Sequence, residues 1–390
     1  MKHLKKINYL ILILIGFMIG IAIAAIVHNH DIKSPWWGHL IVVIGSIFIT
    51  LTLHELTHAF VFSINNIKIK AVYLFMFMFI RKGKIFKLKV NPKLLILGGG
   101  LVVPLLPKVT NDREFKDIGN KFAKSLIAAP IASIIFGFLT FIVFLLLLFF
   151  SSNLTLISLF ITATIVILIL TIFVILASST SNEHAAGDFI AYKKVKEDEN
   201  YLLQVISSYI VFNHEAYELS KDYLLNKKIE YLSNNPLNYD LNTYAYLIDY
   251  LEDVVYDNGT KYYDLDKRIL SLNRNVLSRS NEGVSLLFLI AYLHYLYGDD
   301  DKTFEIINYL EVLQNPRVNW KHLEYELKKA NHLLGISDQF EYLSSPDYYL
   351  DLGLNWIFAP LFDDKQERTT FTKLKKGIKV PKITFYNTLK

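Results

Sequence analysis

Four long apolar runs dominate the first half of the chain, near 7–27, 38–64, 123–150 and 154–177. Each can supply the about 20 helical residues that cross a hydrocarbon core roughly 30 Å thick, so each is read as a transmembrane helix. The stretch between the second and third runs has another rhythm. Residues 67–80 are rich in β-branched and aromatic side chains, residues 82–90 alternate basic with apolar, and Gly98, Gly99, Gly100, Pro104 and Pro107 break any helix. This pattern is read as a membrane-surface β-hairpin or a re-entrant element, with an ordinary basic loop lying against anionic lipid as the alternative. From about 196 onward, apolar and Tyr residues recur at spacings of three and four in 201–226, 241–256, 283–297, 302–314 and 319–334, the periodicity of soluble helices. Asn258-Gly259, Gly298-Asp299 and Asn315-Pro316 punctuate them. Paired helices with such breaks loosely resemble a tetratricopeptide array, but no sustained period is present.

The expected fold is therefore an all-α polytopic membrane domain of about four transmembrane helices, with one β-hairpin, followed by an all-α cytoplasmic domain. The expected boundaries are 1–195 for the membrane domain, 196–372 for the helical domain and 373–390 for a basic tail. Charge supports the division. Residues 1–195 hold 19 Lys/Arg against 7 Asp/Glu, whereas 196–390 hold 22 against 29. The overall net charge of +5 averages two opposite surfaces, and no nucleic-acid partner is implied.

Charge also orients the chain. Lys2, Lys5 and Lys6 precede the first run, and 13 Lys/Arg lie from Lys68 to Lys124, against Lys33 alone between the first two runs. By the positive-inside rule, both termini and the segment 65–122 face the cytoplasm, with Trp36 and Trp37 anchoring the outer interface. Ala22 and Ala24 after the basic start also form the A-x-A pattern of a cleavable signal peptide, but the apolar run is long for that role, and an anchor is the reading taken. The abundance of Ile, Lys, Asn, Tyr and Phe points to an AT-rich genome, hence a low-GC bacterium.

There is no cysteine, so disulfides and thiolate metal sites are excluded, and a transition metal would have to be held by His, Asp or Glu. The second run contains His54-Glu55-Leu56-Thr57-His58, an H-E-x-x-H motif. The four-residue spacing puts both imidazoles on one helix face, able to bind one Zn²⁺, with Glu55 turned toward the open coordination position as general base. Two His and a Glu within an apolar helix cost about a few kcal/mol each unless they face a partner or a wet cavity. The metal-free alternative is a polar face hydrogen-bonded to another span. A catalytic zinc needs a third protein ligand, and the end of the fourth run supplies candidates in Ser181-Asn182-Glu183-His184-Ala185-Ala186-Gly187-Asp188. Asp188 is the first choice, because Gly187 lets the backbone approach closely. His184 and Glu183 are its rivals.

The segment His54-Glu55-Leu56-Thr57-His58-Ala59, followed by Ile67-Lys68-Ile69-Lys70, resembles the site-2 protease family of intramembrane zinc metalloproteases. Ala128-Ala129-Pro130-Ile131-Ala132-Ser133 is similar to that family's A-G-P-x-A-N segment. The resemblance covers residues 38–190 and implies hydrolysis of peptide bonds in a membrane-spanning peptide or protein, with zinc as cofactor and the lipid bilayer as medium. The chain departs from the family at the third ligand, where Asp usually precedes Gly in a proline-containing stretch. The order Gly187-Asp188 also resembles a group of small bacterial membrane zincins. Metzincins fit less well, since Val61 and Ile64 stand where that class has Gly and His. A membrane gluzincin with Glu183 as ligand is a second zincin reading. A membrane scaffold or immunity protein with a vestigial His/Glu cluster is the non-enzymatic one. In either class the helical domain is a candidate docking site for a protein partner.

Overall fold

In a computed structural model of the full chain, residues 35–97, 100–181, 186–257, 259–339 and 355–361 are described. The expected first transmembrane run at 7–27 and the basic tail at 373–390 lie outside them. The described chain is mostly helical and forms two compact units, one containing residues up to 105 and 116–202, the other 106–115 and 203 onward.

Three helices of the first unit are long and apolar enough to cross a membrane: α1 (Trp36–Ile64), α2 (Asp112–Phe150) and α3 (Leu154–Ser178). Helix α1 begins after Pro35, whose missing N–H costs nothing at a helix start, and runs about 43 Å at 1.5 Å per residue. It ends at Asn65 and at Asn66, which takes a positive φ of 61°. Its buried positions are Gly38, Ser46, Thr50, His54, His58 and Phe62, a stripe of mainly small and polar residues four or eight apart. Leu40, Ile41, Ile44, Phe48, Ile49, Leu56, Phe60 and Ile64 are exposed. This inversion of the water-soluble pattern is what a helix surrounded by lipid requires, since small residues let neighbouring backbones approach. Helix α3 answers with its own buried stripe, Ile157, Ser158, Ile161, Thr164, Ile167, Thr171, Val174 and Ser178. Beside the stripes, the two helices are tied at one end by His39 Nδ1 and Thr162 Oγ1, 2.7 Å apart. Helix α2 is longer than the expected span at 123–150, because its polar first turns, from Asp112, continue the same helix.

Between α1 and α2 the expected hairpin is a larger element, a four-stranded antiparallel sheet. Its strands are β1 (Lys68–Leu74), β2 (Phe77–Lys82), β3 (Ile85–Val90) and β4 (Gly100–Leu105), in the order β3-β2-β1-β4. The glycine- and proline-bearing segment that reads as a helix breaker thus supplies the fourth strand, beside β1. The chain turns directly out of α1 into the sheet, with Ile67 N donating to Phe62 O at 2.9 Å. Strand β1 then runs back along α1 until Phe75, at the hairpin tip, stacks on Phe48 with ring centroids 5.3 Å apart. The central strand β1 is buried along Ile69–Leu74, whereas every residue of β3 is exposed.

The second unit is helical: α4 (Asp188–Glu197) ends the first unit, α5 (Glu199–Ile210) leads into the second, and then follow α6 (His214–Asn234), α7 (Leu241–Tyr256), α8 (Tyr263–Leu270), α9 (Arg274–Leu277), α10 (Asn281–Leu296), α11 (Asp300–Glu311), α12 (Trp320–Leu333) and α13 (Asn355–Phe358). The periodic stretch 201–226 is two helices, interrupted at residues 211–213, rather than one. Side chains of Asp240, Ser280, Asp299 and Asn319 cap α7, α10, α11 and α12, each satisfying backbone N–H groups that the first turn leaves free. Helix α10 is buried all along Leu286–Leu293 and contacts α7, α11 and α12, the all-round apolar character of a core helix. Beside it Asp266, 1% exposed, accepts from Tyr250 Oη and Tyr297 Oη, each at 2.6 Å. In Tyr250→Phe this buried carboxylate loses a donor, and the Tyr262 N–H loses its acceptor. The change is expected to destabilise the helical unit by about 1–3 kcal/mol, read as faster hydrogen exchange of α7 and α8 in the full chain.

Candidate metal centre

The two imidazoles of the H-E-x-x-H motif lie on the buried stripe of α1, each about 9% exposed, and their rings meet edge to face with centroids 5.1 Å apart. Asp188, the first residue of α4, reaches the same point. Its Oδ2 is 3.1 Å from His54 Nε2 and 3.6 Å from His58 Nε2. Among the described residues, His54, His58 and Asp188 form a group that could hold a metal ion, with one donor atom from each lying within 4.8 Å of the others. Glu183 and His184 fall outside the described residues.

The chain brings Asp188 there by a close turn after α3. Gly187 N donates to Thr180 O at 2.8 Å, and Ser181 pairs with Ala186 as an isolated bridge. A Cβ on Gly187 would sit 2.1 Å from the Ala177 carbonyl oxygen and 2.6 Å from Ser178 Cα. The need for glycine here is steric. Its φ of −67° is available to any residue, but backbone on the other side of the contact cannot move aside.

Hydrogen bonds from α2 fix the tautomers. His58 Nδ1 is 3.0 Å from the Ser125 carbonyl oxygen, which can only accept, so this nitrogen carries the proton. His54 Nδ1 is 3.1 Å from Ser133 Oγ, whose own hydrogen is directed to the Ala129 carbonyl oxygen at 3.1 Å, so here too the ring nitrogen donates. In the neutral rings both Nε2 lone pairs then point at a carboxylate oxygen. Three acceptors converging on one point repel one another unless a cation lies among them, either protons on the rings or a metal ion. Burial acts to raise the Asp188 carboxyl, but with the rings protonated the His54 hydrogen bond and the charge of both imidazoles outweigh it, holding the group well below the usual carboxylate range. A His₂-carboxylate set with each imidazole oriented by an outer hydrogen bond fits zinc by the chemistry of its donors.

Glu55, next on α1, is turned toward the sheet. A Cβ on Gly100 would lie 2.5 Å from Glu55 Cγ, so the start of β4 passes directly against the Glu55 side chain. Glu55 also interacts electrostatically with His54 and Asp188. Ser125, Ser133 and Gly100 are neighbours of the motif that the sequence does not single out. Ser133 closes the Ala128–Ser133 segment and was visible only as part of that resemblance. Serine at 125 carries no signal of its own, and Gly100 reads merely as one of three consecutive glycines.

Helices with a polar inner stripe, and a His-Glu-His motif meeting an aspartate there, define a membrane protein of the zincin type. The sequence profile of Peptidase family M50 matches residues 42–346, more than half of the chain, which therefore belongs to this family, the site-2 proteases. Its members are zinc metalloproteases of membranes. No curated protein and no solved structure matches the chain.

Gly187→Ala should push Asp188 away from the imidazoles while leaving α1 intact. Bound zinc per purified chain is expected to show an affinity about tenfold or more weaker, the range seen when groups that orient metal ligands are disturbed. Retention of full affinity would mean that the carboxylate is not needed.

Proposed function

We propose that this membrane metalloprotease cuts membrane-anchored peptides or proteins within the bilayer, near its cytoplasmic face, with His54, His58 and Asp188 as zinc ligands and Glu55 as general base. The observation that carries the reading is the convergence of His54 Nε2, His58 Nε2 and Asp188 Oδ2, with both Nδ1 hydrogens already engaged by α2. In this reading residues 1–195 form the protease domain, 196–372 a helical cytoplasmic domain and 373–390 a basic tail. The basic segment 65–122 faces the cytoplasm, and Trp36 and Trp37, 75% and 55% exposed, mark the outer interface.

A zinc ion held there supplies Lewis acidity and stabilises developing negative charge on the substrate oxygen. Glu55 takes a proton from the attacking water on its carboxylate and returns it to the leaving amine nitrogen. Ser125 and Ser133 keep the two imidazoles turned so that Nε2, not Nδ1, faces the reaction centre. A transmembrane substrate has its carbonyls tied in i to i+4 hydrogen bonds and must unwind before any is accessible. Strand β4 is an edge of the sheet and passes against Glu55 at Gly100, so a substrate segment added as a fifth strand would present extended backbone beside the base.

Glu55→Gln should leave bound zinc and folding unchanged and lower cleavage roughly 10²-fold or more, the scale of general acid-base catalysis. The readout is the profile of membrane peptides in cells carrying either form, together with the metal content of both purified proteins. An unchanged profile sinks the protease reading and leaves a scaffold. Asp188→Ala should lose both zinc and cleavage, and undiminished zinc would transfer the third-ligand role to Glu183 or His184.

A further inference from the structure

Residues 106–115, which join β4 to α2 in the chain, belong to the helical unit, and α6 holds them along one of its faces. Asn213 Nδ2 donates to the Leu106 carbonyl oxygen at 2.7 Å, and Ser220 Oγ accepts from Val109 N at 2.8 Å. Tyr223 Oη and Lys227 Nζ reach Asp112 Oδ1 at 2.6 Å and 3.0 Å. Positions 213, 220, 223 and 227 share one side of the helix, and they meet the segment in the order of the chain. Leu106 and Val109 are fully buried, unlike an ordinary surface connection. At the far end Thr110 N donates to Glu114 Oε2 at 2.8 Å and Glu114 N to Asn111 Oδ1 at 3.0 Å, so the segment enters α2 as a fixed corner.

One of these side chains forgoes its ordinary use. Asn213 is the N-cap residue of α6, where a side-chain oxygen usually accepts from the first turn, yet it makes no capping bond and turns its amide to Leu106. Ser220 lies inside the helix, and its hydroxyl donates to the Ala216 carbonyl oxygen at 2.5 Å while accepting from Val109. Strand β4 needs such a hold. Among the described residues it is paired on one side only, and its C-terminal half meets β1 at an irregular place. The register shifts between Ile69 and Ala71, opposite Pro104 and Val103, and Pro104 has no N–H to give to the ladder. The ladder is thus weakest two residues before the Leu106 anchor.

We propose that α6 positions strand β4, with Asn213 and Ser220 as the positioning residues. Their bonds to Leu106 and Val109 supply the hold that the irregular ladder lacks, and so fix the edge strand whose first residue, Gly100, lies against Glu55. The meaning for catalysis rests on the protease reading above, in which this edge receives an extended substrate. An edge already fixed in place lowers the ordering cost of adding a strand to it. The positioning itself does not depend on that reading.

Hydrogen–deuterium exchange of the full chain in nanodiscs, read by mass spectrometry over β4, β2 with β3, α6 and α10, tests the proposal. Asn213→Asp is the decisive change. It keeps the size of the side chain, and a carboxylate at the start of α6 is favoured by the helix dipole, but it has no amide to donate to Leu106. Exchange in β4 is expected to rise about three- to tenfold, the scale of one lost hydrogen bond, while β2, β3 and α10 stay unchanged and α6 exchanges no faster. Ser220→Ala, which leaves the buried Val109 N–H without its acceptor, should loosen β4 in the same way. Bound zinc, measured on the same samples, should stay constant. Unchanged β4 exchange in either variant overturns the proposal. So does a rise that α6 and α10 share in Asn213→Asp, which would mean general loosening rather than positioning, and so does a fall in bound zinc, which would mean that the membrane unit as a whole has changed. None of these readouts involves hydrolysis, so their failure is distinct from failure of the protease reading.

Discussion

The structure is organised around one constraint: imidazoles and carboxylates inside an apolar helix must be enclosed. Each would cost about a few kcal/mol against lipid, so α1 turns its polar side inward and presents Leu, Ile and Phe outward. The enclosing surfaces are matched to that stripe. Helix α3 offers small and hydroxylated positions along its buried face, α2 offers Ser125 and Ser133 as hydrogen-bond acceptors, and the turn after α3 delivers Asp188. Each neighbour that hides the polar groups also orients them. Shielding from lipid and preparation of a cation site are thus the same set of contacts.

The sheet extends this logic to the other side of α1. Its central strand runs back along the helix, and its edge strand β4 starts against Glu55, where a Cβ at position 100 would meet both the Glu55 side chain and the Tyr73 carbonyl oxygen. Among the described residues no strand pairs with the outer side of β4, and an open edge beside a half-buried acid is an unusual pairing in a membrane protein, since unpaired backbone is poorly tolerated in hydrocarbon. At the opposite margin, β3 alternates lysine with apolar residues and is exposed throughout. The two edges of one small sheet are therefore chemically distinct, one turned toward the motif and one rich in positive charge.

Much of this was legible in the sequence, because membrane spans and metal motifs have strong local signatures. Apolar run length located α1, α2 and α3, and the spacing of His54 and His58 alone placed both rings on one helix face. Asp188 could be nominated because Gly187 precedes it, and the steric contact of Gly187 with Ala177 and Ser178 is the physical content of that hint. What was not legible depends on tertiary approach. The basic and glycine-rich stretch read as a hairpin, because nothing local reveals that residues 100–105 pair with β1 across an intervening hairpin. Ser125 and Ser133 matter through partners 67 and 79 residues away, a relation that composition and periodicity do not encode. The break at 211–213 was missed because apolar spacing continues in phase through it.

Asp188 lies 134 residues beyond His54. During synthesis, the two imidazoles are made long before the Asp188 carboxylate exists, and α2 and α3 must form before the turn at Gly187 can close. A nascent or misinserted chain thus holds His54, Glu55 and His58 without the Asp188 group that meets them in the finished fold. If the proposed function holds, assembly order itself acts as a safeguard, keeping the hydrolytic centre silent until the surrounding architecture is finished.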